Sequence, residues 1–343
     1  MESERLYLNR NKEEQQLQIA FKNWMNGGYA PLILTSEKGG GKTTFLNLNV
    51  LKLTDQFSIT RLSIKPTVYT EEGLLELFRT IVNIESLSNH SEIIAILNKA
   101  QSRRIIVLEN LQHLYLRTVN GFSALKLLLE IITKTNKNIF WLTSATQYAF
   151  EYLKKSMKIS DYFGYHINLE QISDGQITDL IRRRHSISGY SLQYIAGEIH
   201  LHNKDALKLN ENDYQKFLEK EFFSSLNFFT KSNISLAQLF WLSSIQDIKD
   251  RILYISANFE ISDSILNSLS AEKVFILHSL ILQDGLKSDE INKTLNYSFN
   301  ETSLLLQVML DDGIIIKTDD TYYINPLVYR QTITLLKSRN YLD

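Results

Sequence analysis

A glycine-rich segment between an apolar run and a helix-forming run carries the clearest chemical signal in the sequence. Residues 32–46 read LILTSEKGGGKTTFL, so an apolar strand pattern leads into three glycines, a lysine and two threonines. Glycine adopts positive φ angles readily, which lets successive backbone N–H groups point inward at phosphate oxygens. The start of the following helix adds unpaired N–H groups and its dipole. The pattern therefore predicts a phosphate-binding loop.

The residues of this loop have separate predicted roles. Lys42 is expected to reach the β- and γ-phosphates of a nucleotide, and the hydroxyl of Thr43 to ligate Mg²⁺. The sequence departs from the usual pattern G-x-x-x-x-G-K-[ST] by having Ser36 at the first glycine position. The alternative, a glycine-rich turn that arose by chance, is disfavoured by the strand before it and the helix after it. The predicted nucleotide-binding residues are Ser36, Glu37, Lys38, Gly39, Gly40, Gly41, Lys42, Thr43 and Thr44.

A later apolar run ends in a residue that could complete such a site. Arg104–Glu109 has the pattern of a buried strand, and in P-loop ATPases the acidic residue at this place contacts Mg²⁺ directly or indirectly. Asn110 stands where many of these ATPases have a glutamate that polarises the attacking water. An amide cannot accept a proton, so slow hydrolysis is expected. The alternative for Glu109 is an ordinary buried strand that ends in a solvated acid.

Hydrophobic periodicity predicts the elements that position these residues. Up to residue 170, short β-branched runs alternate with amphipathic stretches, which is typical of a parallel sheet with crossover helices. From about 171 to 255 only helical patterning is found, with no strand signal. After about 268, three short helical segments precede a hairpin pattern over 314–324 and a closing helix over 326–337. The predicted strands of the first region are Leu32–Thr35, Ser58–Ile64, Arg104–Glu109, Asn138–Thr143 and Tyr165–Leu169.

Composition and charge exclude several classes of protein. Hydrophobic residues make up 44% of the 343 residues, which excludes a disordered chain. The 37 basic and 38 acidic residues leave a net charge of -1, so no global basic field points to nucleic acid. The absence of cysteine excludes disulfides and thiolate metal sites. No apolar run has the length of a signal peptide or a membrane span, and a cytoplasmic protein is expected.

The order of these motifs resembles the AAA+ and STAND P-loop ATPases, most of all their origin-initiator-like and transposition-regulator-like branch. The resemblance covers nearly the whole chain and is most specific at the glycine loop. It implies an α/β fold, with a P-loop NTPase parallel sheet, a helical lid and a C-terminal winged helix-turn-helix domain. The corresponding domains are residues 1–170, 171–265 and 266–343. The implied cofactors are ATP and Mg²⁺, and the implied catalytic residues are Lys42, Glu109, Asn110 and Thr143, with Thr43 and Glu109 on the metal.

Further residues are assigned by the same resemblance. Thr143 or Ser144 would sense the γ-phosphate. Residues 9–17 would lie near the adenine, residues 169–182 would begin the lid, and residues 232–241 would form the lid helix that often carries a nucleotide-sensing arginine. This chain has Ser235 there and no arginine nearby, which puts lid closure on the γ-phosphate in doubt.

The arginines and histidines leave alternatives open. Arg182, Arg183 and Arg184 could form an arginine finger, contact a phosphate backbone, or be a solvated helix end whose cations offset the helix dipole. Arg117 is a second finger candidate. The histidines show no metal-ligand spacing, and His113 is expected to be a polar neighbour of the nucleotide site.

The charge of the tail bears on its partner. Residues 271–343 contain 7 basic and 10 acidic residues, and the predicted recognition helix Asn300–Asp311 contains no lysine or arginine. DNA phosphates would repel such a helix, which favours a protein contact.

The predicted function is an ATP-binding switch that controls self-assembly, as a homo-oligomer, and a protein partner. The resemblance adds bacterial defence or signalling as a context. A DNA-loading ATPase and a nucleotide-independent scaffold are the alternatives.

Overall fold

A parallel sheet forms the first part of the fold. The computed structural model describes residues 7–53, 57–84, 86–99, 103–203, 205–231, 233–257, 266 and 268–342. Five parallel strands have the order β2-β3-β4-β1-β5 and confirm the predicted α/β fold class. The strands are β1 (Leu32–Ser36), β2 (Ser58–Ser63), β3 (Arg104–Glu109), β4 (Ile139–Thr146) and β5 (Tyr165–Asn168). The helices are α1 (Asn11–Met25), α2 (Lys42–Leu51), α3 (Glu71–Val82), α4 (His90–Lys99), α5 (Ser123–Thr135) and α6 (Gln147–Met157).

Helices cover both faces of this sheet, because successive side chains of a strand point to opposite sides. In β3, Ile105 and Val107 belong to the core cluster that contains Trp24 of α1. The alternate residues Ile106 and Leu108 belong to the cluster formed with α3, α4 and α5. Burial on both faces explains why β3 and the first half of β4 are continuous apolar runs. The carboxyl ends of β1, β3 and β4 meet at one edge, where the glycine loop lies.

Strand β4 is longer than predicted. The expected strand ended at Thr143, but the pairing with β1 continues through Ser144 and Ala145 to Thr146, which lies opposite Ser36. The extra residues are small or polar, so hydrophobic patterning gives no signal for them. Thr143 therefore lies inside the strand, three residues before its end.

The region after the sheet contains helices α7 (Asp174–Ser186), α8 (Glu198–Leu201), α9 (Glu211–Thr230) and α10 (Ile234–Ser243). The prediction that this region has no strands is wrong. A second sheet has the order β6-β8-β7 and consists of β6 (Ser191–Ile195), β7 (Ile245–Lys249) and β8 (Ile252–Ser256).

Two properties of β7 and of its turn into β8 explain why the hydrophobic pattern does not predict this hairpin. Strand β7 is largely exposed, so it lacks an apolar face. Its turn into β8 uses Asp250 and Arg251, both at positive φ (47° and 61°), instead of the glycine-containing pairs that signal a hairpin.

The tail has the predicted order of elements. It contains α11 (Ala271–Gln283), β9 (Leu286–Lys287), α12 (Ser288–Leu295), α13 (Phe299–Asp311), β10 (Ile315–Thr318), β11 (Thr321–Ile324) and α14 (Tyr329–Ser338). β10 and β11 form the predicted hairpin, and β9 pairs with β11 at its other side. The predicted domain boundary at 265–266 borders residues outside the described part of the chain. In that described part, no helix combines the length and the apolar character that a membrane span requires.

The lid and the tail share one hydrophobic core. Phe222 and Trp241 of the lid belong to the same cluster of buried residues as Ile276, Leu280 and Ile333 of the tail. The sheet region has its own two clusters. The division into three domains remains a prediction. The predicted lid and tail domains pack against each other through this core.

Candidate functional site

The glycine loop joins β1 to α2 in the conformation that its glycines permit. Gly39 and Gly41 have φ angles of 78° and 95°, which a residue with a Cβ rarely adopts. The lid approaches the loop closely at Gly39, where an added Cβ would lie 2.7 Å from Asn233 Oδ1 and 2.8 Å from Ser235 Cβ. Asn233 Nδ2 donates a hydrogen bond to the carbonyl of Lys38 (2.7 Å), and Ser235 Oγ donates to that of Gly39 (3.2 Å).

Lys42 is folded into the loop. Its Nζ donates to Ser36 Oγ (3.2 Å) and to the carbonyl oxygens of Ser36 (3.3 Å) and Glu37 (3.4 Å). Burial lowers the pKa of the Lys42 ammonium to about 8, and the carboxylates of Asp284 and Glu109 oppose this shift. A buried cation with only neutral acceptors gains when an anion is brought next to it. This is the environment expected of a phosphate-binding lysine.

The two predicted magnesium ligands lie together. Thr43 Oγ1 donates to Glu109 Oε2 at 3.2 Å, and hydroxyl and carboxylate oxygens are donors that Mg²⁺ accepts. However, Glu109 Oε1 already accepts a hydrogen bond from Nε of Arg61 in β2 at 2.7 Å, and Nη2 of the same guanidinium lies 2.7 Å from this oxygen. Because the guanidinium neutralises the carboxylate, the residues as arranged do not fit a divalent cation.

Asn110 lies at the sheet edge with φ 69°, a left-handed conformation that asparagine tolerates. Its N–H donates to Ser144 Oγ (3.3 Å) and its side-chain amide donates to Ser63 Oγ (3.0 Å). Its Oδ1 accepts from Gln112 Nε2 at 3.4 Å. These bonds orient the amide among the ends of β2, β3 and β4, and the group has no carboxylate with which to take a proton.

The predicted sensor residues lie at different places. Thr143 is fully buried and donates to the carbonyl of Leu32 at 3.1 Å, away from the loop. Ser144 contacts Asn110 as described above. Thr146, the last residue of β4, lies opposite Ser36 of the glycine loop, and its Oγ1 is buried without a partner in the described part of the chain.

The tail reaches the loop through Arg330, which sequence reasoning missed. Arg330 of α14 forms a salt bridge with Glu37 (2.9 Å from Nη1 and 2.5 Å from Nη2) and donates to the carbonyls of Thr230 (2.9 Å) and Lys231 (3.1 Å) at the end of α9. Tyr148 also donates to Glu37, at 3.1 Å. Glu37 and Arg330 are 293 residues apart in sequence, so no local sequence pattern could predict their contact. Loop, lid and tail therefore meet at one buried guanidinium.

A second ion pair links the same two regions. Lys38 Nζ lies 2.6 Å from Asp284 Oδ1, just after α11. The same ammonium lies 5.1 Å from the centre of the Tyr323 ring in the tail hairpin. Gln112 Nε2 donates to Asp284 Oδ2 at 3.4 Å, which connects the pair to the segment after β3.

A small cavity opens beside the loop on the side predicted to hold the adenine. It has a volume of about 100 Å³ and is lined by the three glycines and by Leu8, Arg10, Phe45, Leu180, Arg184 and Ile234. Arg10 donates to the carbonyl of Glu170 at 2.6 Å, which ties the predicted adenine-side segment to the start of the lid. Tyr7, Thr44, Ser235 and Gln238 also line the cavity, so its walls mix polar and apolar groups.

The other singled-out arginines and His113 fall into three environments. Arg117 faces the tail, where its Nη1 lies 3.4 Å from both His278 Nδ1 and Ser279 Oγ. Arg182 pairs with Glu219 at 3.0 Å, whereas Arg184 lines the cavity beside the glycine loop.

Burial lowers the pKa of His113 to about 4, and both ring nitrogens lack a partner among the described residues. In the same part of the chain, no group of three or more histidine, aspartate or glutamate side chains could hold a metal.

Comparisons with known proteins yield only distant likenesses. The sequence matches no protein-family model and no curated protein. Among solved structures, CDC6P of Pyrobaculum aerophilum is 15% identical, with a TM-score of 0.43 over 96% of this chain and 94% of that one. The ORC1 protein of Aeropyrum pernix, solved in complex with DNA, is 11% identical, with a TM-score of 0.45 over 96% and 94%. A Walker-type ATPase of Pyrococcus abyssi is 16% identical, with a TM-score of 0.40 over 96% of both chains. Likenesses this weak carry no argument about activity or partners.

Proposed function

We propose that this chain is an ATP-binding switch in which nucleotide at the glycine loop changes how the lid and the tail are held. The observation that carries the proposal is the buried contact of Arg330 with Glu37 and with the end of α9. A contact to the phosphate-binding loop from a residue nearly three hundred positions away gives the loop a direct link to the tail.

Electrostatics sets the direction of the change. A triphosphate adds several negative charges beside two cations, Lys38 and Arg330, that are now paired with Asp284 and Glu37. The phosphates compete for these cations and repel the two carboxylates, so nucleotide binding weakens the bridges that hold the tail on the loop. ATP is therefore proposed to loosen the tail.

The site is better equipped to bind ATP than to hydrolyse it. Asn110 is at the position predicted for the catalytic base, and its backbone N–H, side-chain amide nitrogen and Oδ1 bond to Ser144, Ser63 and Gln112. The proposed enzyme activity is a slow ATPase whose binding state, more than its turnover, controls the molecule.

The surface of α13 supports a protein partner over DNA. Phe299 and Leu304 on this helix are 69% and 68% exposed, and the helix carries Glu301 and Asp311 but no basic residue. Exposed apolar side chains are typical of protein contacts, whereas DNA contacts require cations. Self-assembly is part of the same proposal.

The absence of cysteine allows a direct test of the switch. Val119→Cys in the sheet region and Asp320→Cys in the tail hairpin place two spin labels at exposed positions of the two parts. We expect ATP to shift or broaden the distance distribution between the labels, and the same pair in a Lys42→Ala background to show no change. An identical distribution with and without saturating ATP would contradict the switch. Salt-sensitive retention of duplex DNA by the full chain would favour the DNA-loading alternative.

A further inference from the structure

Arg61 forms an ion pair with Glu109, the acidic residue predicted to hold the metal of a bound nucleotide. It stands on β2 opposite Val107, and its side chain extends toward the carboxyl end of β3, where Glu109 lies. Both oxygens of Glu109 are engaged. Oε1 accepts a hydrogen bond from Arg61 Nε at 2.7 Å and lies 2.7 Å from Arg61 Nη2, and Oε2 accepts a hydrogen bond from Thr43 Oγ1 at 3.2 Å. Arg61 also donates to Asn47 of α2, which fixes the guanidinium from the helix that follows the glycine loop.

This arrangement puts a permanent positive charge next to both predicted metal ligands. A guanidinium does not lose its proton in proteins, so Arg61 stays charged at every physiological pH. The Glu109 side chain is 7% exposed and its charge is already balanced, so Arg61 would repel a divalent ion that enters there. The Arg61 side chain is 31% exposed, so the guanidinium is not sealed off from a ligand at the loop.

We infer that Arg61 supplies at this site the positive charge that Mg²⁺ would otherwise supply, so that the chain binds nucleotide without a divalent ion. The inference rests on the proposed nucleotide binding and concerns the same site. The inference agrees with the amide at Asn110. A site that has neither a metal ion nor a general base can bind nucleotide but does not activate water for hydrolysis. Arg61 is a binding residue in this account.

The test is a calorimetric titration of the full chain with ATP, once with excess EDTA and once with excess Mg²⁺. For the wild-type protein we expect dissociation constants that agree within about twofold. Arg61→Gln is expected to weaken binding in EDTA by at least about tenfold, because a charge-assisted contact is lost, and Mg²⁺ should restore much of it. Arg79→Gln, which removes an arginine of α3 paired with Glu76, is the matched control and should match the wild type.

Each outcome separates the inference from the proposed function. Absence of ATP binding under both conditions would overturn the nucleotide site itself. Wild-type binding that requires Mg²⁺ would overturn the inference and leave the nucleotide site intact. Binding by Arg61→Gln that equals the wild type in EDTA would also overturn it. If Arg61→Gln alone fails to fold because Glu109 is left buried and unpaired, the double variant Arg61→Gln/Glu109→Gln, which has no unpaired charge, gives the same comparison.

Discussion

Lys42 shows how burial prepares a single side chain to bind an anion. Its ammonium is surrounded by carbonyl and hydroxyl oxygens of Ser36 and Glu37, and desolvation lowers its pKa to about 8. A phosphate next to Lys42 would favour the charged form and raise that pKa again. If nucleotide binds at Lys42 as proposed, its binding is coupled to the protonation of Lys42.

The coupling predicts a pH dependence of ATP binding. Below about pH 8 Lys42 is protonated with or without nucleotide, and affinity should change little. Above about pH 8 the free protein loses this proton and binding must take it up, so affinity should fall by up to about tenfold per pH unit. Calorimetry in buffers of different ionisation enthalpy measures both the affinity and the protons taken up. A flat affinity with no proton uptake up to about pH 10 would contradict the assignment of Lys42.

The sequence predicts the site residues that belong to a recognisable motif. It does not predict those that reach the site only through tertiary contacts. Lys42, Thr43 and Glu109 come together because a glycine loop after one parallel strand and an acid at the end of another share one sheet edge. Arg61 and Arg330 look like ordinary cations in the sequence, since their partners depend on how strands and domains pack.

Among the elements, patterning worked for the strands of the parallel sheet and failed for the small second sheet. All five strands of the parallel sheet match their predicted bounds within three residues at each end, and β1, β3 and β4 are buried almost throughout. In the second sheet, β7 is largely exposed and β6 has a single buried residue, whereas β8 alternates buried and half-buried residues over only five positions. The end of β4 is missed for a different reason: it is buried, but Ser144 and Thr146 are polar and carry no apolar signal.

The close contact between Gly39 and the start of the lid helix α10 predicts that a methyl group added at Gly39 destabilises the protein. Gly39→Ala places a Cβ 2.7 Å from Asn233 Oδ1 at a φ of 78°, so it strains the backbone and pushes on the lid. The substitution should lower the free energy of unfolding by about 1–3 kcal/mol and decrease the melting temperature.

Gly175→Ala is the matched control for this prediction. Gly175 lies in the first turn of α7 with nothing within 4 Å of the added Cβ, so alanine should be neutral or slightly stabilising there. Equal melting temperatures for the two variants, measured by circular dichroism, would show that the loop does not contact the lid as described.

In the whole molecule, the tail is joined to the glycine loop by charge and to the lid by apolar packing. The shared core of lid and tail contains Phe222, Trp241, Ile276 and Leu280, whereas the sheet region contributes few residues to it. The charged contacts are the ones that phosphate can disturb. In the proposed switch, this division would let nucleotide act on the tail without unfolding the lid–tail core.

The buried pair of Glu37 and Arg330 should therefore show strong thermodynamic coupling. Either Glu37→Gln or Arg330→Gln leaves one buried charge unpaired and should destabilise the protein by about 3–5 kcal/mol. The double variant has no unpaired charge and should lose less than the sum of the single variants. Thermal unfolding of the four proteins measures the coupling, and strictly additive effects would show that the two side chains do not interact.

The most direct test of the account is whether ATP binds at the glycine loop. Isothermal titration of the full chain with ATP should give one binding site per chain. Lys42→Ala should weaken binding by at least about tenfold, because the loop loses its buried cation. Lys52→Ala, which removes an exposed lysine just after the same helix, should bind as the wild type does. Equal ATP affinity in the wild type and Lys42→Ala would contradict the central claim.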